Sequence, residues 1–322
     1  MDTLGIDISK ATFHAALLGE GSAAKKSFPN SVKGFGQLDA WLHNRRVGTI
    51  FACMEATGSY WRALATHLHD AGHTVAVVNP SRIKAYAQSE LLRTKTDAVD
   101  AALIARFAVA QRPEAWKPWP PEIRELQELA RHLEFLKRSR AQHHTRAQTP
   151  DLPQRVVRSS QELIAQLDLQ IDDLEKAIRD HIDRHPGLRS KRDLLLSIPG
   201  IAHTTAAAIL AEMPMLDQFA SAQAVAAYAG LSPRLRQSGS SVRGRARLCK
   251  TGNARLRKAL YLPAIVALKH NPTLRALAQR LRAAGKAPML IIGAAMRKLL
   301  VLAYGVLRSQ QPYQPLFNPL NT

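Results

Sequence analysis

Four carboxylates and one serine carry the reactive chemistry in this chain. Asp7, Glu55, Asp97 and Asp100 are separated in sequence, but Asp97 and Asp100 stand three residues apart in TDAVDAALIARF. On a helix that spacing puts both on one face, where like charges repel unless a cation lies between them. Mg2+ takes carboxylate oxygens together with water and phosphate. Two such ions can clamp the attacking and leaving oxygens of a phosphoryl transfer. The serine is Ser238, first of Ser238-Gly239-Ser240-Ser241, within a stretch from 232 to 258 that holds nine Arg and Lys residues. A serine that attacks a phosphodiester needs its proton removed, the developing charge neutralised and the hydroxyl oriented. Arg243, Arg245, Arg247 and Lys250 can supply the second of these. For the first, His203 and His270 are the nearest imidazoles by sequence, and no acid follows Asp217. Read singly, each acid is also a plausible cap and a Ser-Gly loop is also an ordinary loop. It is the set that points to chemistry.

The elements that must position these groups can be read in order. Short apolar strands are predicted at residues 4–8, 12–18 and 24–28, with a turn at Gly19-Glu20-Gly21, as an antiparallel meander. A helix follows at 35–43, then a buried strand at 49–54 ending beside Glu55. Next come a helix at 60–71 capped by Ser59 and stopped by Gly72, a second buried strand at 74–78, and a helix carrying Asp97 and Asp100. Asp7 lies on the first strand, and Asp97 could itself cap its helix after Thr96. The order β-β-β-α-β-α-β and then helix is the ribonuclease H-like pattern of an α/β domain. Lys95 and Arg93, just before the acid pair, are phosphate contacts or merely exposed.

Residues 111–121 hold Pro113, Pro118, Pro120 and Pro121 and read as a linker. Two helices follow. Leu126, Leu129, Leu133 and Leu136 line the first; Ile164, Leu167, Ile171, Leu174 and Ile178 give the second a heptad seam. The sequence is compatible with an antiparallel hairpin or with a coiled-coil arm that pairs between subunits. Residues 194–212, LLLSIPGIAHTTAAAILAE, read as a helix-hairpin-helix, whose turn amides meet a phosphate in that motif. Ala202 stands where a second glycine is usual. Helices are then predicted at 222–229, 254–270 (capped by Asn253 and kinked at Pro263), 273–284 and 289–309. Arg255, Arg257 and Lys258 crowd the start of the helix at 254, which already attracts anions.

Composition narrows the partner. The 322 residues carry a formal charge of +20, and from Gln218 to Thr322 there are 17 Lys and Arg and no acid. A surface like this favours a polyanion, nucleic acid above all. A hydrophobic content of 46% supports real cores. Two cysteines, Cys53 and Cys249, give neither a disulfide framework nor zinc spacing, as expected in a reducing, cytoplasmic compartment. The opening MDTLGIDIS does not read as a signal peptide. Arg297 and Lys298 interrupt the apolar run at 289–307, so no membrane partner is expected.

GIDIS, CMEATGSY, VNPSRIKAYAQSELLRTKTDAVDA, SIPGI, AAYAGLSPR, SGSSVRG and KTGNARLRKALYLPA together resemble the IS110 family of insertion-sequence transposases, which includes the Piv/MooV-type DNA invertases. The resemblance runs from about Gly5 to Arg308. It implies a RuvC-like domain at residues 1–112, a linker and coiled-coil helices at 113–187, a mostly α-helical basic transposase domain at 188–310, and a tail at 311–322. By position, its DEDD acids correspond to Asp7, Glu55, Asp97 and Asp100 holding Mg2+, and its nucleophile to Ser238, with Ser240 and Ser241 as neighbours. It further implies donor and target double-stranded DNA, a structured non-coding bridge RNA that pairs with both, and a homo-oligomer, a dimer or, on DNA, a tetramer, with the resting state left open. Action is expected at the nucleoid. Because no acid follows Asp217, the serine region is expected to borrow carboxylates from the first domain of another protomer. Two rival readings remain on the residues alone. One is a RuvC-like nuclease or junction resolvase that attacks with water; the other is a non-catalytic nucleic-acid-binding protein.

Overall fold

The computed structural model describes residues 2–19, 24–91, 96–234, 237–238, 242–243 and 247–315, with Ala98, Gln218 and the pairs 237–238 and 242–243 described by backbone alone. These form two compact units, residues 1–119 and residues from 120 onward.

The first unit is built on a five-stranded sheet in the order β3-β2-β1-β4-β5, with β1 at Thr3–Ile8, β2 at Thr12–Leu18, β3 at Ala24–Pro29, β4 at Phe51–Glu55 and β5 at Thr74–Val78. β1 pairs antiparallel with β2, and β2 with β3; β1–β4 and β4–β5 are parallel. Alternation along the strands sorts the faces. Leu4, Ile6 and Ile8 of β1 join Ala52 and Met54 of β4 in a core with α1 (Val32–His43) and α2 (Trp61–Asp70). The opposite face meets α3 (Pro80–Ser89) and α4 (Asp97–Gln111) through Cys53, Ala76, Val78, Ile83, Leu103, Ile104 and Phe107. With helices on both faces the central strands are apolar on both sides, as a continuous hydrophobic run requires. The expected β-β-β-α-β-α-β order is present. So is the Gly72 stop: φ is +84° there, and Gly72 and His73 amides bond back to His69 and Leu68. Ser59 does not cap α2, however. Tyr60 occupies the cap position with helical backbone angles and no side-chain bond, so the helix starts without a polar cap. The proline-rich run after α4 is not helical and stays with this unit: Trp116 N–H donates to Val75 O at 2.6 Å, and its ring meets Trp61 edge-on at 5.5 Å.

The second unit is helical. α5 (Pro121–Ala147) and α6 (Gln154–Arg184) form an antiparallel hairpin, tied by Lys137–Glu175 at 2.6 Å, Arg140–Asp168 at 2.7 Å and His181 bonded to Glu122 O at 2.8 Å. Leu126, Leu133, Leu136, Ile171 and Ile178 pack into the same core as α7 (Pro186–Leu196), α8 (His203–Glu212) and α9 (Ala222–Tyr228). Each such side chain contributes about 1.5–3 kcal/mol by burial. The helix expected at 254–270 is two helices, α10 (Ala254–Ala259) and α11 (Tyr261–His270), separated at Leu260. The physical reason is Pro263. It offers no amide to the Ala259 carbonyl four residues back and its ring collides there, so the ladder breaks at Leu260 and does not merely bend at the proline. α12 (Pro272–Ala283) and α13 (Pro288–Ser309) complete the unit. Against expectation, α13 is long and apolar enough to cross a bilayer by length and composition. Leu299, Leu300, Leu302, Ala303 and Leu307 on it are buried within the unit, which accounts for that apolarity as core.

Candidate functional site

Gly5 sets the spacing of the first site. It lies on the β1 face turned to α4, and a Cβ there would stand 2.2 Å from both Ala101 O and Ala105 N. Ala16 opposite it on β2, with Ala101 and Ala102 on α4, keeps the contact small. The helix therefore lies almost directly on the strand, and its first turn reaches the strand end that carries Asp7. Thr96 is the cap of α4, its hydroxyl accepting from Val99 N–H at 3.3 Å. Asp97 is thus inside the helix and not its cap. Asp97 and Asp100 both fall in the first turn, where the helix dipole favours negative charge.

Ile6 pairs with Met54, so Asp7 and Glu55 are the next residues of adjacent parallel strands and share the α4 face. The consequence is electrostatic. Burial first, then Asp100, Asp97 and Glu55, pushes the Asp7 carboxyl up to about 6, with His14 opposing. His14 is a residue the sequence reading missed. It pairs across β1 and β2 with Asp7, and its Nδ1 lies 3.6 Å from Asp97 Oδ2. The signal was available in the meander register, which places residue 14 opposite residue 7. Thr57 Oγ1 donates to Glu55 Oε1 at 2.7 Å and orients that carboxylate.

Among the described residues, no three His, Cys, Asp or Glu side chains stand close enough together to grip one metal ion. The donor chemistry nonetheless suits a hard divalent cation. Carboxylates from β1, β4 and α4 act on one another, and burial first, then their charge, raises the Asp7 pKa; a cation would relieve that repulsion.

The second site is the basic stretch. Ser238 lies on a two-residue strand, Gln237–Ser238, paired antiparallel with Val242–Arg243. Below it Pro233–Arg234 pairs with Arg247–Leu248. The side chains of Ser238 and Arg243, and all of Lys95, Ser240, Ser241 and Arg245, lie outside the described residues. Arg247 and Lys250 are exposed, and so are His203 and His270. Three of the other basic residues are engaged within the protein. Lys258 Nζ donates to Glu134 at 2.9 Å, Arg255 faces the same carboxylate at 3.7 Å, and Arg257 Nη1 donates to Ala229 O at 3.0 Å.

Glu212 precedes the acid-free run in sequence but meets the stem of the serine region in space: it is buried, with its Oε2 accepting from Asn253 Nδ2 at 2.9 Å. Burial would raise its pKa; hydrogen bonds from Arg131 and Asn253 outweigh that and hold it below the usual carboxylate value.

The helix-turn-helix at 194–212 forms as expected, but Gly200, with φ +107°, is turned inward. A Cβ on it would lie 2.5 Å from Ala267 Cβ. The glycine is needed to seat the turn against α11.

Residues 4–149 match a family described as DEDD transposase of the IS110 type, and residues 192–279 match the transposase IS116/IS110/IS902 family. The chain is 35% identical over 318 residues to the pilin gene-inverting protein of Moraxella bovis, covering 96% of this chain and 97% of that protein. The Moraxella lacunata counterpart is equally similar, at 35% over 318 residues. An uncharacterized 43.6 kDa protein of insertion element IS110 from Streptomyces coelicolor is 30% identical over 141 residues, 44% of this chain and 34% of its own length.

Proposed function

The chain belongs to the IS110 transposase family, and from that premise we propose that it is an RNA-guided DNA recombinase that cuts and rejoins strands through Ser238. The observation that carries this reading is the charge cluster at Asp7, where carboxylates from two strands and a helix turn act on one another. Four acids on one face of a mixed sheet in the order 3-2-1-4-5 support a RuvC-like domain with a metal site of Asp7, Glu55, Asp97 and Asp100. Bound Mg2+ would supply positive charge to the phosphoryl oxygens.

The work of the chain's own residues follows. Ser238 Oγ forms a bond to phosphorus and gives up its proton, while the bond from phosphorus to one deoxyribose oxygen breaks and that oxygen takes a proton. The phosphoserine ester conserves the bond, so a sugar hydroxyl of another strand can attack it, reform a phosphodiester and return the serine without ATP. Arg247 and Lys250, exposed beside the hairpin, are suited to hold backbone phosphate. The Moraxella relatives are named for inverting a pilin gene; carried to this chain, the substrates are donor and target double-stranded DNA. A guide RNA and a homo-oligomer belong to the same proposal.

The test is trapping on end-labelled DNA carrying the element's terminus, with the flanking non-coding sequence co-expressed. A covalent adduct present in the parent and in Ser241→Ala, and lost in Ser238→Ala and Asp7→Asn, is the expected result. Cleavage without an adduct, undiminished in Ser238→Ala, would instead make the protein a water-using nuclease. Loss of any discrete co-purifying RNA removes the guide from the proposal.

A further inference from the structure

The Ser238 hairpin rises from a stem whose two sides are stitched together. Cys249 N–H donates to Ser232 O at 2.9 Å, Lys250 N–H to Gly230 O at 3.1 Å and Asn253 N–H to Tyr228 O at 2.7 Å. Gly252, at φ +139°, lets the returning side lie on the outgoing one, since a Cβ there would stand 2.3 Å from Tyr228 O. Both sides end on Glu212, the last residue of α8. Tyr228 Oη donates to its carbonyl at 3.1 Å, and Asn253 Nδ2 donates to its Oε2 at 2.9 Å. Arg131 on α5 holds the same carboxylate from the other side, Nε to Oε1 at 2.9 Å and Nη2 to Oε2 at 3.3 Å. Paired charge-assisted bonds of this kind fix direction as well as contact. Glu212 is 5% exposed, so its bonds are to these partners and little to water.

Asn253 does two things at once. Its Oδ1 accepts from Leu256 N–H at 3.0 Å and caps α10, while its Nδ2 reaches Glu212. Aspartate or serine would serve the cap equally well. Ionised aspartate has no hydrogen to give a carboxylate, and serine has one short hydroxyl for both tasks, whereas asparagine carries the acceptor and the donor on separate atoms. The choice of residue at 253 is thus explained by the tether and not by the helix.

We propose that Glu212, held by Arg131 and joined through Asn253 to the hairpin stem, is a positioning residue that fixes where the Ser238 hairpin leaves the helical body. The inference rests on the reading of Ser238 as nucleophile. Glu212 touches no reacting atom; it acts by holding the stem, so that the hydroxyl is presented in one place and its orientation is not searched for in each turnover.

Asn253→Asp separates the two roles, because it keeps the cap and sets a carboxylate against Glu212. Asn253→Ser and Glu212→Gln are milder partners, the latter keeping an acceptor for Asn253. Two readouts on the full chain are needed. The first is the single-turnover rate of adduct formation at saturating labelled DNA, with DNA affinity measured separately. The second needs no activity: the rate at which 5,5′-dithiobis(2-nitrobenzoate) modifies Cys249 in the stem, Cys53 being buried. Asn253→Asp is expected to slow adduct formation at least tenfold with affinity within twofold, and to speed Cys249 modification at least fivefold at temperatures well below unfolding. Glu212→Gln should fall between it and the parent. If Asn253→Asp leaves both rates within twofold of the parent while Ser238→Ala forms no adduct, the positioning role is wrong and the serine reading stands. If Ser238→Ala still forms the adduct, the serine reading fails, and the Cys249 rate alone decides whether Glu212 fixes the stem.

Discussion

Gly5 and Ala101 are in closer contact than any side chain would allow: a Cβ on the strand residue would lie 2.2 Å from the helix carbonyl. Because the clash is with backbone, no rotamer change relieves it, and Gly5→Ala must lift α4 from β1. The expected cost is about 1–3 kcal/mol, as for other overpacked cores, read from chemical denaturation. Asp97 and Asp100 would retreat with the helix, so the variant should also lose any stabilisation by added Mg2+. A variant as stable as the parent would show that α4 does not sit on the strand this way.

Asp7 gives a pH signature. Its pKa is about 6 in the folded chain against 3.8 for the free side chain, so folding takes up a proton between those values. A group with a raised folded pKa stabilises the fold while protonated, and that contribution is lost as pH rises through about 6. Asp7→Asn removes the dependence. In EDTA the melting temperature of Asp7→Asn should match the parent near pH 4 and exceed it at pH 7.5 by on the order of 5 °C. Adding Mg2+ at pH 7.5 should raise the parent and leave Asp7→Asn unmoved. Parallel melting curves across this range would mean that burial and the other three acids do not raise the Asp7 pKa.

The first unit was largely legible because its strands alternate with helices and its acids fall at strand ends and in a helix first turn, positions that local pattern reveals. His14 was not, because its importance comes from lying across a strand pair from Asp7, a relation of register and not of motif. Glu212 was hidden for a similar reason. Counting charge along the chain separates it from the loop by the residues of α9 and the stem, whereas the fold folds those residues back so that Asn253 returns to it. The break at Leu260 was misplaced because the proline marks the damaged turn only at its far end. The heptad seam on α6 was visible, but whether it faced α5 or another subunit depends on the neighbouring helices, and these bury Ile171 and Ile178 within the unit.

Gly200 separates packing from phosphate binding. With φ at +107° and Ala267 Cβ 2.5 Å from where its own Cβ would be, Gly200→Ala faces both backbone strain and a clash. A loss of about 2 kcal/mol or more is expected on those two grounds. The salt dependence of nucleic-acid binding by the folded variant should not change. A flattened salt slope with intact stability would restore the turn as a phosphate contact.

The basic residues of the stem divide by what they touch. Arg247 and Lys250 are exposed, whereas Arg257 gives a guanidinium hydrogen to Ala229 O at 3.0 Å, beneath the Gly230 turn. Arg247→Ala and Lys250→Ala should each lower the slope of log affinity against log salt by about 1, with little change in melting temperature. Arg257→Ala should do the reverse, costing about 1–2 kcal/mol through an unpaired carbonyl and a lost contact while leaving the slope nearly unchanged. Fluorescence anisotropy on a labelled duplex between 50 and 300 mM salt, with thermal melts of the same samples, distinguishes the two groups. If Arg257→Ala flattens the slope and melts like the parent, its guanidinium leaves Ala229 for phosphate on binding, and it belongs with the DNA contacts.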